Sequence, residues 1–316
     1  MSSVAVTGAN GFIGSNVVRE LLRRGHEAVA LVGADVGDEN LRDVPVKARE
    51  LDLLDPASVR AGLAGCDAVI HTAACYSFWL PDPRAFYRVN VDGTRHVLEA
   101  ARALGLRRMV YTSTGATLSP ARAGFRGHYR ESKAQGERLV LAAAAEGFPA
   151  LVVHPTTVLG PGDRRPTPTG SLIVHYLARR MKVFLEMRQN VVHVADVAVG
   201  HVLALERGVH GEHYVLGGDN LSMRALLELL AEITGIPAPR FALPNAAVLA
   251  LGAANEWLSD HVTHRPPLVA REAALHARDA RDFDVSRSRR ELGFAPRGAR
   301  EVLVDAVRWF ESQSRG

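Results

Sequence analysis

Short apolar runs alternate with stretches of helical periodicity through the first half of the chain. Residues 4–6, 28–32, 68–72, 109–112 and 151–153 are too short for helices and rich enough in Val, Ile, Leu and Ala to predict strands. Between the first two runs, Ile13, Val17, Val18, Leu21 and Leu22 fall on one helical face, and Gly25 after Arg23 and Arg24 marks that helix's C-terminal end. Asp55 followed by Pro56 supplies the N-cap and first-turn proline of a short third helix. Strand and helix in strict alternation predict an α/β fold, a doubly wound and mostly parallel sheet covered on both faces.

The rhythm changes after Pro155. Gly160, Pro161, Gly162, Pro166, Pro168 and Gly170 crowd one loop, and the periodicity of 171–180 predicts a helix opening a second lobe. A strand at 190–194, a helix at 195–207 and a strand at 214–216 form a further βαβ unit, expected to rejoin the sheet before Ser222 caps a departing helix. The remainder is expected to be helical, with proline-rich joints at 237–244 and 266–267 and a closing amphipathic helix at 300–310.

Composition narrows the function classes. With 47% hydrophobic and 23% charged residues the chain is ordinary globular protein, and its net charge of +4 is spread without a basic tract, so neither nucleic acid nor an anionic membrane is an expected partner. Cys66 and Cys75 lack metal-ligand spacing and the histidines are scattered, which predicts no disulfide framework, no metal site and a reducing cytoplasm. No leader-like N-terminus is evident, and the apolar stretch 246–254 is too short to span a bilayer. Only three lysines, Lys47, Lys133 and Lys182, stand among the 38 basic residues.

Gly8, Gly11 and Gly14 follow the first strand and open the first helix. Glycines at such a turn let the backbone approach a pyrophosphate, and the helix start supplies free N–H groups, so a bound dinucleotide is expected. The second strand ends at Gly33, with Asp35, Asp38 and Glu39 nearby and no arginine at its tip; this favours NAD over NADP, although Arg42 could fold back. Asp52, after the third strand, either bonds an adenine amine or serves its own turn. Tyr129 and Lys133, four residues apart, share a helical face. A phenol with a pKa near ~10 needs a neighbouring ammonium to work as acid and base at neutral pH.

Together these residues resemble an extended short-chain dehydrogenase/reductase of the NAD-dependent epimerase/dehydratase family. The likeness runs through Thr7–Gly14 in sequence, His71-Thr72-Ala73-Ala74, Asn90-Val91-Asp92-Gly93-Thr94, Val110-Tyr111-Thr112-Ser113-Thr114, Tyr129-x-x-x-Lys133, His154-Pro155-Thr156-Thr157-Val158 and onward to Pro296. Trp79-Leu80-Pro81-Asp82-Pro83 and Pro166-Thr167-Pro168-Thr169-Gly170 are most similar to the dihydroflavonol-4-reductase-like branch, including hopanoid-associated sugar epimerase-like proteins.

The resemblance implies a Rossmann domain over 1–157, with 190–218 returning to it, and a smaller, mostly helical substrate lobe over 158–189 and 219–316. It implies catalytic roles for Tyr129, Lys133, Thr114 and, as relay or support, Asn90, with Ser113 as the fallback hydroxyl. Cofactor contacts carried over are Gly8, Asn10, Gly11, Phe12, Ile13, Gly14, Asp35, Asp52, Leu53, Thr72, Ala73, Ala74, Thr112, Tyr129, Lys133, Pro155, Thr157 and Val158. A homodimer packed through the helices around Asn90 and Tyr129 is also implied.

Departures point to the reaction. Sugar-nucleotide dehydratases of the family carry an acidic pair where this chain has Gly115 and Ala116, and only fourteen residues separate Thr114 from Tyr129. Elimination is therefore not expected. Phe78, Trp79 and Phe125 lie in loops that such a fold aims at its cleft. The expected activity is an NAD(P)-dependent hydride transfer on a ketone or secondary alcohol of a small, largely apolar or aromatic molecule. The alternatives are a nucleotide-sugar epimerase with retained NAD, and a catalytically idle dinucleotide sensor, against which the intact Thr114, Tyr129 and Lys133 argue.

Overall fold

The fold comes from a computed structural model that describes residues 1–33, 37, 39–118, 127–263 and 271–314. Strand β1 (Ser3–Thr7) carries Val4, Ala5 and Val6 at zero exposure and leads into α1 (Phe12–Arg23), which Gly25 terminates at φ +79°. There follow β2 (Glu27–Val32), β3 (Lys47–Glu50), α2 (Pro56–Leu63) and β4 (Ala68–His71). Asp55 caps α2 by accepting from the Ala57 N–H, as its sequence predicts. This is the second helix and not the third: among the described residues only turns lie between β2 and β3.

Helix α3 (Arg84–Tyr87), a π-helical turn (Arg88–Asp92) and α4 (Gly93–Ala103) run on from one another. After them come β5 (Arg108–Thr112), the short α5 (Gly115–Leu118), α6 (His128–Ala145), β6 (Ala150–Pro155) and β7 (Thr157–Leu159). Helix α7 (Pro168–Leu177) begins three residues before the periodicity suggests, because Thr167 caps it by accepting from the Gly170 N–H and Pro168 occupies the first turn. Next are β8 (Val183–Leu185), β9 (Arg188–His193), α8 (Val194–Arg207), β10 (His213–Leu216), β11 (Asp219–Ser222) and α9 (Met223–Thr234), which Ser222 caps as expected. The chain closes with β12 (Phe241–Leu243), α10 (Asn245–Leu258), α11 (Arg271–Asp279) and α12 (Ala299–Ser314). Among the described residues no helix is long and apolar enough to cross a membrane.

Seven strands form one wholly parallel sheet in the order β10-β6-β5-β4-β1-β2-β3. Chain direction reverses at β1, with β2 and β3 to one side and β4 onward to the other, and such a reversal leaves a crevice beyond the strand ends where ligands bind. One face of the sheet packs on α1 and α8 through Val17, Leu21, Val197 and Val202, the other on α2, α4 and α6 through Val59, Val97 and Val140. A third cluster, containing Ile173, Tyr176, Leu226, Leu230, Val302 and Leu303, holds the C-terminal elements together.

The expected return of 190–194 to the large sheet is corrected. Strand β9 is the centre of a separate three-stranded sheet, parallel to β7 and antiparallel to β11, and only β10 rejoins the large one beside β6. Val191 and Val192 are fully buried there, and a run of apolar residues satisfied by burial does not specify which sheet supplies it. The proline-rich joint at 237–244 likewise contains β12, which pairs with β8.

Candidate active site

The three glycines following β1 serve three different needs. Gly8 sits at φ +67°, and a Cβ on it would stand 2.8 Å from the Ala73 Cα. Gly14 admits no side chain because its Cβ would lie 2.1 Å from the Gly8 carbonyl oxygen, while Gly11, in extended conformation, would meet the same oxygen at 3.1 Å. No side chain caps α1 at Gly11, so the helix start faces the crevice with its backbone N–H groups. Thr72 and Ala73, arriving from β4, close the other side: the Thr72 hydroxyl donates to the Thr7 carbonyl at 2.6 Å. Ala74 is exposed beyond them. Asn10 is buried and donates to the Gly37 carbonyl, beside which the Glu39 carboxylate rests; Phe12 and Ile13 are half-buried against the core. Asp35 and Phe125 lie outside the described residues.

Below the crevice a buried polar chain joins β1, β4 and the helices before α6. Thr94 donates to the Asn90 carbonyl, which leaves its oxygen to accept from His71 Nε2, so His71 Nδ1 accepts from the Thr7 hydroxyl 2.6 Å away. Burial holds the His71 imidazole neutral, its pKa pushed down to about 3. Asn90 sits in the π-helical turn, where its side-chain oxygen accepts from the Cys75 N–H and its amide donates to the Cys75 carbonyl and to Ser132 Oγ at 2.9 Å. It therefore ties the loop after β4 to α6, one residue from Lys133.

Tyr129 and Lys133 occupy consecutive turns of α6. The Lys133 side chain is buried, with Nζ 4.3 Å from the centre of the Tyr111 ring, and among the described residues no acceptor hydrogen-bonds to Nζ. Desolvation lowers its pKa to about 7, against an opposing pull from Glu137. Tyr129 is half-buried and its ring lies 4.8 Å from that of Tyr76, which in turn meets Phe78 edge-on at 6.2 Å. Trp79 is half-buried in the same loop, its backbone tied to Ser77.

The hydroxyls at the end of β5 separate by role. Thr112 is buried, its hydroxyl 2.9 Å from His201 Nε2 on α8, so its side chain faces the core and not the crevice. Ser113, the fallback hydroxyl, donates to Glu137 Oε2 at 2.6 Å. Among the described residues Thr114 Oγ1 makes one bond, accepting weakly from the Ala116 N–H at 3.3 Å, and donates to none of them.

Other predicted contacts are spread along the crevice. Pro155 ends β6, Val158 is buried in the core below it, and the Thr157 hydroxyl is turned away to Gln189 at 2.7 Å. Asp52 is exposed and accepts from the Leu54 N–H, so its carboxylate serves its own turn; Leu53 packs where Gly93 leaves room.

Sequence reasoning missed four groups. Tyr76 stands against Tyr129, and Phe283 from the C-terminal segment fills the space at Gly115, where a Cβ would be 3.0 Å from its ring. Position 115, acidic in the dehydratases, is therefore occupied by an aromatic wall. The others are Glu137 and the histidine pair His154 and His213, 3.0 Å apart although scattered in the chain. Glu137 alone had a signal, since it continues the four-residue spacing of Tyr129 and Lys133.

The glycine turn without Cβ atoms, the uncapped helix start and the buried amine fit the pyrophosphate and hydroxyls of a dinucleotide. Such a crevice on such a sheet defines a nicotinamide-dependent oxidoreductase of the extended short-chain type. Residues 4–217 match the NAD dependent epimerase/dehydratase family, and the chain belongs to it. It is 36% identical to a Synechocystis protein provisionally named dihydroflavonol 4-reductase, over 97% of this chain and 94% of that one. A 4-hydroxy-2-methyl-3-oxo-4-farnesyl-3,4-dihydroquinoline-1-oxide ketoreductase from Stigmatella aurantiaca is 34% identical over 96% and 95%. The crystal structure of gox2253 superposes with a TM-score of 0.87 at 35% identity, covering 100% of this chain and 99% of that one.

Proposed function

We propose that the protein reduces a ketone, or oxidises the matching secondary alcohol, on a compact and largely apolar or aromatic molecule. The observation that carries this reading is the aromatic lining around the reactive hydroxyls, with Tyr76 against Tyr129 and the Phe283 ring against Gly115. A sugar site needs a dense set of paired polar groups, and aromatic faces do not supply them. The ketoreductase and reductase relatives support the same reading.

A nicotinamide dinucleotide held at the glycine turn and by Lys133 would supply or take the hydride. Thr114 donates a hydrogen bond to the reacting oxygen and Tyr129 delivers or removes its proton. Lys133 holds the nicotinamide ribose and places positive charge one turn from the phenol, while Asn90 positions α6 through Ser132. In this reading residues 1–157, with α8 and β10 returning to the large sheet, hold the dinucleotide, and the elements around the three-stranded sheet of β7, β9 and β11, with 223–316, close over the substrate. The active form is a homodimer in the cytoplasm, packed through α4 and α6; light scattering on the eluted protein gives twice the chain mass if so.

The test is a screen of aromatic and polyketide-like ketones with NADH, run beside UDP-sugars monitored for epimer formation. Ketone-dependent NADH oxidation is expected. Inversion of a UDP-sugar without net cofactor use would overturn the proposal and establish an epimerase with retained NAD.

Cofactor choice gives a second expectation. With Gly33, and not an arginine, at the tip of β2 and the Glu39 carboxylate beside Gly37, a 2′-phosphate meets negative charge. Fluorescence titration is expected to show NADH binding roughly tenfold more tightly than NADPH, the equivalent of about 1.4 kcal/mol. Tighter NADPH binding would place Arg42 or another cation at the ribose.

A further inference from the structure

On the β10 side of the crevice, three side chains from three elements converge: Glu137 of α6, His154 of β6 and His213 of β10. We propose that they form a zinc-binding site. His154 Nε2 lies 3.0 Å from His213 Nδ1 and 3.9 Å from Glu137 Oε1, and the third side of the triangle, His213 Nδ1 to Glu137 Oε1, is 3.6 Å. Tetrahedral zinc with bonds of about 2.0–2.1 Å holds its ligand atoms about 3.3 Å apart, so small side-chain adjustments bring all three into range.

The atoms behind these ligands are already arranged. His154 Nδ1 donates to the Thr114 carbonyl at 3.1 Å, which leaves Nε2 with its lone pair facing the cluster. The other Glu137 oxygen accepts from Ser113 at 2.6 Å and lies 3.0 Å from the Thr117 hydroxyl, an outer shell that fixes the carboxylate. In the metal-free protein His213 Nδ1 donates to His154 Nε2; on binding, His213 changes tautomer, Nδ1 giving its proton to solvent as Nε2 takes one up, and His154 Nε2 and His213 Nδ1 both present lone pairs to the metal. His154 has no exposed side-chain surface and Glu137 12%, whereas His213 is 37% exposed, so an ion enters from the His213 side and keeps a water in its fourth position. Nothing in the proposed hydride transfer uses this cluster. Occupancy ties α6 and the Thr114 carbonyl to β6 and β10, bracing the wall of the active site.

Isothermal titration of chelator-treated enzyme with zinc chloride is expected to show one ion bound per chain at micromolar or lower Kd. A rise of several degrees in Tm should accompany it. His213→Ala, at a half-exposed position, should weaken binding at least tenfold, and so should Glu137→Gln. Cobalt(II) provides the geometric readout: the intense visible bands of tetrahedral cobalt are expected with the wild type and lost in His213→Ala. Absence of saturable binding would overturn the proposal. So would binding that both substitutions leave unchanged, because the ion would then sit on other histidines.

Discussion

Tyr129→Phe is expected to reduce turnover about a thousandfold while leaving the NADH dissociation constant within about twofold of wild type. The substitution deletes one oxygen. The ring that packs 4.8 Å from Tyr76 is kept, as is the helix that carries Lys133, so neither fold nor cofactor crevice changes. A loss confined to kcat identifies the phenol as the group that moves the proton, since a purely binding role would appear in KM. Steady-state kinetics on a ketone from the screen, paired with a cofactor titration, separates the two. Near-wild-type turnover would require another acid and would end the proposed mechanism.

Lys133→Met is expected to inactivate the enzyme and to stabilise it. The folded protein holds the Lys133 ammonium without a hydrogen-bond acceptor among the described residues, and burial lowers its pKa from 10.5 to about 7. Below pH 7 both folded and unfolded chains carry the proton, and the native state bears the whole cost of burying the charge. Between pH 7 and 10.5 the unfolded chain keeps a proton that the folded one releases, so wild-type stability rises with pH across that window. Methionine removes the cost, by about 3 kcal/mol after the lost contact with the Tyr111 ring is allowed for, worth roughly 5 °C in Tm at pH 6. The advantage should shrink steadily toward pH 10. Melting curves across that range check it, and a gap that stayed constant with pH would refute the buried charge as its source. Turnover should fall at least about 100-fold, because the same amine supports the phenol and the ribose.

Legibility in the sequence followed the reach of local rules. The β1–glycine–α1 unit was readable because its signals lie within twenty residues: an apolar strand, glycines where Cβ atoms would collide, and one buried helical face. Strand β3 was detectable only by position, since Lys47-Ala48-Arg49-Glu50 is an exposed edge paired on one side and needs no apolar residues. The partner sheet of β9 was not readable, because local pattern reports burial and says nothing about which strands provide it. Within the site, the pair Tyr129 and Lys133 was visible through helical spacing. Roles at the end of β5 were not: Ser113 and Thr114 are adjacent hydroxyls in the sequence, and only the approach of Glu137 distinguishes them. Phe283 and His213 reach the site through topology alone, from far along the chain.

The meeting of Phe283 with Gly115 constrains the order in which this scaffold could change its chemistry. The Phe283 backbone is anchored at both N–H and carbonyl by the Asn220 side chain, each bond 3.0 Å, so relief at the ring has to come from its side-chain torsions. An acidic residue at 115 acquired first would press on the Phe283 ring before offering any benefit, whereas trimming Phe283 first makes room for it and gives up part of the aromatic lining. A route toward elimination is thus easier in one order than in the other, and a directed-evolution library varying Gly115 and Phe283 together should recover acidic residues at 115 mostly alongside small residues at 283.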